Sequence, residues 1–305
     1  MKKTGLFLGV VLLILTACKP LSTRTVVTEE LGFSFAFLTD IHLQPEHEAV
    51  AGFQQAIDTV NKLDPDFVIT GGDLVMDALD QTYGRVDSLY DLYKEVSGEL
   101  NMPVYNTPGN HEMYGWHRAE EGIESNPDFG KKMFEKKMGD RFYSFDHKGW
   151  HFIALDAISR GEDGRYIGKI DEEQIAWLKE DLAQTDKEMP IAITVHIPFI
   201  TASTQLRLGA MAANTPEGVI SNSLDVLKMF GEHNLKLVLQ GHLHLIEDLF
   251  MENKVHFITG GAVCGRWWSN EPGDHPEEGF MMIHVKGEEV SSEYIDYGWT
   301  PSWNK

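Results

Sequence analysis

From residue 32 onward, short apolar runs alternate with longer amphipathic stretches. Runs at 33–39, 66–70, 103–107, 142–146, 151–155, 191–195, 235–240, 255–259 and 279–285 are too short for buried helices, and most are rich in aromatic and β-branched residues, so they predict strands. Between 48 and 63, Val50, Phe53, Ile57, Val60 and Leu63 recur every three or four residues, which predicts one apolar face of a helix. Ile175, Leu178 and Leu182 do the same within 171–184, and further helices are predicted over 82–96 and 223–233. This rhythm predicts a layered α/β protein. In the second half, the runs at 142–146 and 150–155 read as a hairpin, and the last strands have no helix between them, so the sheets should be mixed. No repeat, low-complexity tract or linker interrupts the chain after residue 32, which predicts one domain over 32–305.

Composition narrows the class. The 305 residues include 26 Lys plus Arg against 47 Asp plus Glu, a formal charge of -21, with 42% hydrophobic residues. That is globular composition with material for one large core, and it excludes disorder, collagen and a small disulfide scaffold. The acidity disfavours long nucleic acids, whose phosphates need clustered cations. Small anionic substrates stay open, because a bound metal reverses the local sign.

The N-terminus stands apart. Lys2 and Lys3 precede an apolar run from Leu6 to Leu15, followed by Thr16, Ala17 and Cys18. The run is too short to span about 30 Å of hydrocarbon comfortably, and it reads as an export signal over 1–17. Leu15-Thr16-Ala17-Cys18 resembles a bacterial lipobox, which implies acylation of Cys18, a tether over 18–31, and a lipoprotein held in the cell envelope, facing the periplasm or the surface. A plain secretory signal is the alternative. Only Cys18 and Cys264 exist, so lipidation would leave no intramolecular disulfide, whereas a Cys18–Cys264 bridge is the competing use.

The ends of the predicted strands carry the chemistry. Asp40 and His42 follow the first; Asp73 follows Gly71 and Gly72; Asn110 and His111 follow Gly109; His196 follows Val195; His242 and His244 follow Gln240 and Gly241. In open α/β sheets such strand ends gather ligands. Carboxylate oxygen, amide oxygen and neutral imidazole suit zinc, iron or manganese. Residues two apart on a strand end face the same way, so Asp40 with His42, or His242 with His244, are expected to reach one metal cluster together.

Asp-x-His, Gly-Asp, Gly-Asn-His, a lone His and Gly-His-x-His, in that order over 33 to about 285, resemble the calcineurin-like metallophosphoesterases, most of all the class III cyclic-nucleotide phosphodiesterase branch. The resemblance implies a four-layer α/β/β/α sandwich of two mixed sheets flanked by helices. It implies two divalent or mixed-valence ions, of manganese, iron or zinc. Asp40, His42 and His244 would hold one, Asn110, His196 and His242 the other, and Asp73 would bridge both. It further implies attack on phosphorus by a hydroxide bridging the ions, with His111 as the acid that protonates the leaving oxygen or steadies the pentavalent phosphorus. Many relatives carry an Asp three residues after the bridging Asp to orient that histidine; here Met76 stands there and Asp77 follows. Either a bulge lets Asp77 take the role or another group orients His111. The tyrosine that binds ferric iron at this place in purple acid phosphatases is excluded by Met76.

Substrate choice is expected from the segments 112–130, 197–222 and 264–279. In the last, Arg266, Trp267 and Trp268 are suited to grip a phosphate and stack a base or sugar, or else the tryptophans are core packing. Cys264 reads as a small buried residue. The expected activity is hydrolysis of small or lipid-linked phosphate esters, with phosphodiesters slightly favoured over phosphomonoesters. The alternative is a lipoprotein that binds metal or a phosphorylated ligand without turnover.

Overall fold

The computed structural model describes residues 32–252, 254–269 and 277–300. The signal at 1–17, Cys18 and the tether to residue 31 lie outside the described residues. Along the chain the elements are β1 (Phe33–Leu38), α1 (Ala49–Leu63), β2 (Phe67–Thr70), α2 (Tyr83–Ser97), β3 (Val104–Tyr105), α3 (Lys131–Met138), β4 (Tyr143–His147), β5 (Trp150–Ala154), β6 (Ile158–Arg160), β7 (Tyr166–Gly168), α4 (Glu172–Gln184), β8 (Pro190–Thr194), α5 (Ser203–Leu208), α6 (Ser223–Met229), β9 (Asn234–Gln240), β10 (Glu247–Met251), β11 (Val255–Thr259), β12 (Gly279–Lys286) and β13 (Glu289–Asp296). Two helices start on side-chain caps: Thr82 accepts from the Arg85 N–H at 3.4 Å, and Asp171 from the Gln174 N–H at 3.0 Å.

One sheet runs β13-β12-β1-β2-β3, with β1, β2 and β3 parallel and β12 and β13 antiparallel additions. The other runs β10-β11-β9-β8-β5-β4, parallel from β11 to β5 with an antiparallel strand at each edge. A small hairpin pairs β6 with β7. Both large sheets are therefore mixed, as the sequence predicts.

Strand periodicity makes the layers. In β1, Phe33, Phe35 and Phe37 point into a core shared with Phe152, Leu237, Leu239 and Ile258 of the other sheet, while Ala36 and Leu38 face α1 and α2. Phe35 stacks on Phe67 at 4.9 Å and meets Phe152 edge-on at 5.6 Å, which locks the sheets face to face. On the far side, Ile153, Ile191, Ile193 and Val238 pack under Leu178 and Leu182 of α4 and Val226 of α6. The result is the expected α/β/β/α order.

Departures lie at the periphery. β10 and β13 are edge strands: β13 mixes polar residues throughout and β10 offers only the three-residue run Leu249–Met251, so pattern alone does not mark them. β6 and β7 span three residues each, α3 and α5 are short, and the helix predicted over 223–233 stops at Met229. No helix among the described residues is long and apolar enough to cross a membrane.

Candidate metal centre

Parallel β1, β2 and β3, and parallel β8 and β9, deliver their following loops to one end of the sandwich. Backbone bonds stitch those loops together: Asp40 N–H to Gly72 O at 3.0 Å, His42 N–H to Asp73 O at 2.8 Å, and Gly241 N–H to His196 O at 2.9 Å. Asp40, His42, Asp73, His242 and His244 all adopt left-handed backbone, with φ of 55°, 47°, 53°, 71° and 48°. Such backbone is costly for non-glycine residues and clusters at functional sites. It also corrects the strand-alternation argument, since these side chains converge through tight loops beyond the strands. Two glycines make the approach possible. Gly72 is itself left-handed, and a Cβ there would lie 2.7 Å from His196 Nδ1; one at Gly109 would lie 2.2 Å from Asp73 Oδ1.

The side chains form two poles about Asp73. In the first, His42 Nε2 and His244 Nε2 are 3.1 Å apart, and Asp40 Oδ1 lies 3.2 Å from His244 Nε2 and 3.9 Å from His42 Nε2. In the second, His196 Nε2 lies 3.1 Å from Asn110 Oδ1 and 3.2 Å from His242 Nδ1. Asp73 Oδ2 stands 3.6 Å from His42 Nε2 and 3.1 Å from His196 Nε2, between the poles. Ligands about 2.1 Å from one ion are separated by about 3.0–3.4 Å, so most of these spacings match a shared cation. Asp40 Oδ1 is buried and makes no hydrogen bond, which fits an oxygen that serves as a metal ligand. Outer bonds aim the donors. His196 Nδ1 pairs with Gly71 O at 2.7 Å, and Asp40 Oδ2 accepts from Thr39 Oγ1 at 2.7 Å and from the His242 N–H at 3.0 Å. The donor set and its spacing fit divalent metal.

Charge tells the same story. Burial works to lower His196, but the Asp73 carboxylate outweighs it and pushes the imidazole up to about 9. Burial likewise opposes protonation of His244, and Asp40 outweighs it, raising His244 well above the ordinary histidine value. Burial and then His196 push His242 down to about 4, and burial and then His111 hold His42 low. Among protein groups alone, each pole thus attracts one positive charge.

The remaining predicted residues divide. His111 sits at the mouth, with Nε2 3.9 Å from Asp73 Oδ2 and Nδ1 4.0 Å from Asp77 Oδ1. Asp77 is left-handed, at φ 65°, and its Oδ1 accepts the Leu79 N–H at 2.8 Å, so it stands near His111 Nδ1 without bonding it. Trp267, 39% exposed, lies over the first pole, with ring centroids 4.2 Å from His42 and 4.8 Å from His244. Trp268 requires a correction as a substrate residue. It is buried, its Nε1–H donates to the carbonyls of Ile41 and His42 at 3.0 and 3.1 Å, and it supports the first loop from beneath. Arg266 is half-buried and its backbone pairs with Ser269. Cys264 is a buried free thiol whose sulfur lies within 4.8 Å of ligand atoms of His42 and His244.

Two residues escape sequence reasoning. Glu112, fully buried, accepts backbone N–H bonds from Gly109 at 2.6 Å, Leu74 at 2.8 Å, Asp73 at 2.9 Å and Val75 at 3.1 Å, clamping the two loops that carry Asp73 and Asn110. Burial and the Asp73 charge push it up to about 8, against those donors. Its place directly after His111 is the only signal in the chain. Tyr166, on β7, meets the His242 ring edge-on at 6.0 Å and stacks on His117 at 6.1 Å.

A family model described as calcineurin-like phosphoesterase matches residues 33–245. The chain is 22% identical over 232 residues to a probable cyclic nucleotide phosphodiesterase of Fibrobacter succinogenes, covering 73% of this chain and 77% of that one. It is 23% identical over 217 residues to a 3',5'-cyclic adenosine monophosphate phosphodiesterase of Haemophilus influenzae, covering 68% of each. Its fold matches a dimetal phosphatase from Danio rerio with a TM-score of 0.64 at 14% identity, over 87% of this chain and 96% of that one. With the motif series, the layered fold and the ligand cluster in agreement, this chain belongs to the calcineurin-like phosphoesterase family and is a metal-dependent phosphoric ester hydrolase.

Proposed function

We propose that the protein is a dinuclear phosphoesterase that favours phosphodiesters and acts outside the cytoplasm from a lipid anchor at Cys18. The observation that carries the dinuclear reading is the position of Asp73 Oδ2, within 3.6 Å of an imidazole nitrogen of each pole. Asp40, His42 and His244 would hold one ion, Asn110, His196 and His242 the other, and Asp73 would be shared. When bound, the ions supply Lewis acidity to the phosphoryl oxygens and lower the pKa of water.

The protein's own groups do the rest. His111 delivers a proton to the leaving oxygen from the mouth of the site, and Asp77 stands near its Nδ1 edge. Trp267 offers an exposed indole face beside the first pole for a planar leaving group. A positioned acid matters most for the poor leaving groups of diesters, and this supports the diester preference together with the names of the two relatives.

The test is hydrolysis of bis(p-nitrophenyl) phosphate and p-nitrophenyl phosphate by residues 25–305 with manganese, zinc or iron, alongside the metal content. Turnover with two ions bound, and loss of both turnover and one ion in Asp73→Ala, is expected. Full activity with a single ion would refute the dinuclear reading; binding of two ions without turnover of any phosphate ester would leave a binding protein. For the anchor, Cys18→Ala should release the protein from membranes, and continued attachment would contradict lipidation.

A further inference from the structure

From Met189 to Pro216 the chain contains no Asp or Glu, although 47 acids are spread over the whole, and Arg207 is the one Lys or Arg in that stretch. Within it, α5 buries none of its residues. Leu206 is 83% exposed, Leu208 76% and Met211 97%. This projecting turn is held in shape. Gln205 Nε2 donates to Ala212 O at 2.9 Å, and at the base Glu247 accepts from Thr201 Oγ1 at 2.6 Å and from the Ala202 N–H at 2.9 Å. Thr201 follows the ligand His196 closely, and Glu247 follows His244, so the projection stands beside the loops that carry the metal ligands. An apolar groove of about 790 Å³ runs between α6 and the β10–β11 edge, lined by Phe199, Leu224 and Met251, with Lys228, Lys254 and Glu252 also in its wall.

We propose that the α5 projection and this groove form a docking surface for a phospholipid bilayer, which holds the metal centre at headgroup level. A protein that coats itself with acid repels anionic headgroups, and a stretch cleared of carboxylates is what close approach requires. Apolar side chains on a narrow, projecting turn suit insertion into a deformable acyl boundary, where each buried methylene contributes. The anchor proposed at Cys18 agrees with this occupant. The 13 residues 19–31 span at most about 43–47 Å, at about 3.3–3.6 Å each.

The surface is tested without the anchor, on residues 25–305, since the three core clusters lie within the compact unit that begins at Leu31. The protein is floated with vesicles of phosphatidylethanolamine and a minor share of phosphatidylglycerol, and hydrolysis of soluble bis(p-nitrophenyl) phosphate is read separately. The expected result is vesicle binding that falls about tenfold or more in Leu206→Ser/Leu208→Ser/Met211→Ser while soluble hydrolysis stays within about twofold. Met211→Ser alone, at the most exposed of the three positions, should weaken binding measurably with folding undisturbed. Absence of vesicle binding, or binding indifferent to these substitutions, overturns the proposal. So does a dimer that the substitutions dissociate, which would assign the face to a second copy of the chain. A protein that floats but hydrolyses no ester would sink the enzymatic reading and leave the docking surface standing.

Discussion

Glu112→Gln isolates the clamp beneath the metal centre. The substitution keeps the shape of the side chain but replaces one carboxylate oxygen with an amino group. Each oxygen now serves two donors: Oε2 accepts from Gly109 and Asp73, and Oε1 from Leu74 and Val75. Glutamine leaves one such pair of buried N–H groups facing a donor. A stranded buried N–H costs about 1–3 kcal/mol, so the pair costs about 2–6 kcal/mol, against a total stability of about 5–15 kcal/mol for typical proteins. The comparison belongs above pH 8, where the Glu112 carboxylate, pushed up to about 8, is ionised and all four bonds are made. Urea unfolding of the metal-free protein should show that loss of stability. Because the strained loops carry Asp73 and Asn110, metal retained after dialysis should fall with it. A variant within about 1 kcal/mol of the parent and with full metal content would refute the clamp.

Three further outcomes follow from the same geometry. In metal-free protein, the stability that His196 contributes is fully present below its unfolded value of 6.5 and is lost as pH rises through about 9, a fall of about 3 kcal/mol at 1.36 kcal/mol per unit; a thermal-melting series that stays flat over this window would contradict the Asp73–His196 pairing. His111→Gln should lower kcat by about 10²–10⁴ on a diester with an alkyl leaving group and by less on p-nitrophenyl esters, whereas equal losses would remove His111 as the acid. Trp267→Ala should raise KM for a nucleobase-bearing diester by about 5- to 150-fold, the equivalent of one stacking contact of about 1–3 kcal/mol, and leave a dialkyl diester unaffected; parallel changes in both would show that the indole only shields the metal loops.

The motif series was legible because each proposed ligand lies within five residues after a strand, and because carboxylate, amide and imidazole together suit a metal site. The layered core was equally legible: Phe33, Phe35 and Phe37 alternate with Ala36 and Leu38, so two-sided burial is written into β1. Edge strands were not, since β13 makes ladder bonds on one side and tolerates polar residues throughout. Glu112 was invisible among 47 acids, because a buried clamp and a surface acid have the same side chain. Adjacent Trp267 and Trp268 look equivalent in the chain, yet one indole covers the metal ligands and the other supports their backbone.

The type and order of the ligands, the two-sided strands and the acid-free stretch before Glu217 are properties of local sequence, readable because chemistry and periodicity act over a few residues. Which ligands share a pole, which carboxylate stands between them and which tryptophan reaches solvent depend on contacts across 31 to 227 positions, such as Asp73 with His42, His244 with His42 and Trp268 with Ile41. Those contacts are set by left-handed loops and by backbone bonds between strand ends, and a local pattern carries no record of either until the two sheets have closed on each other.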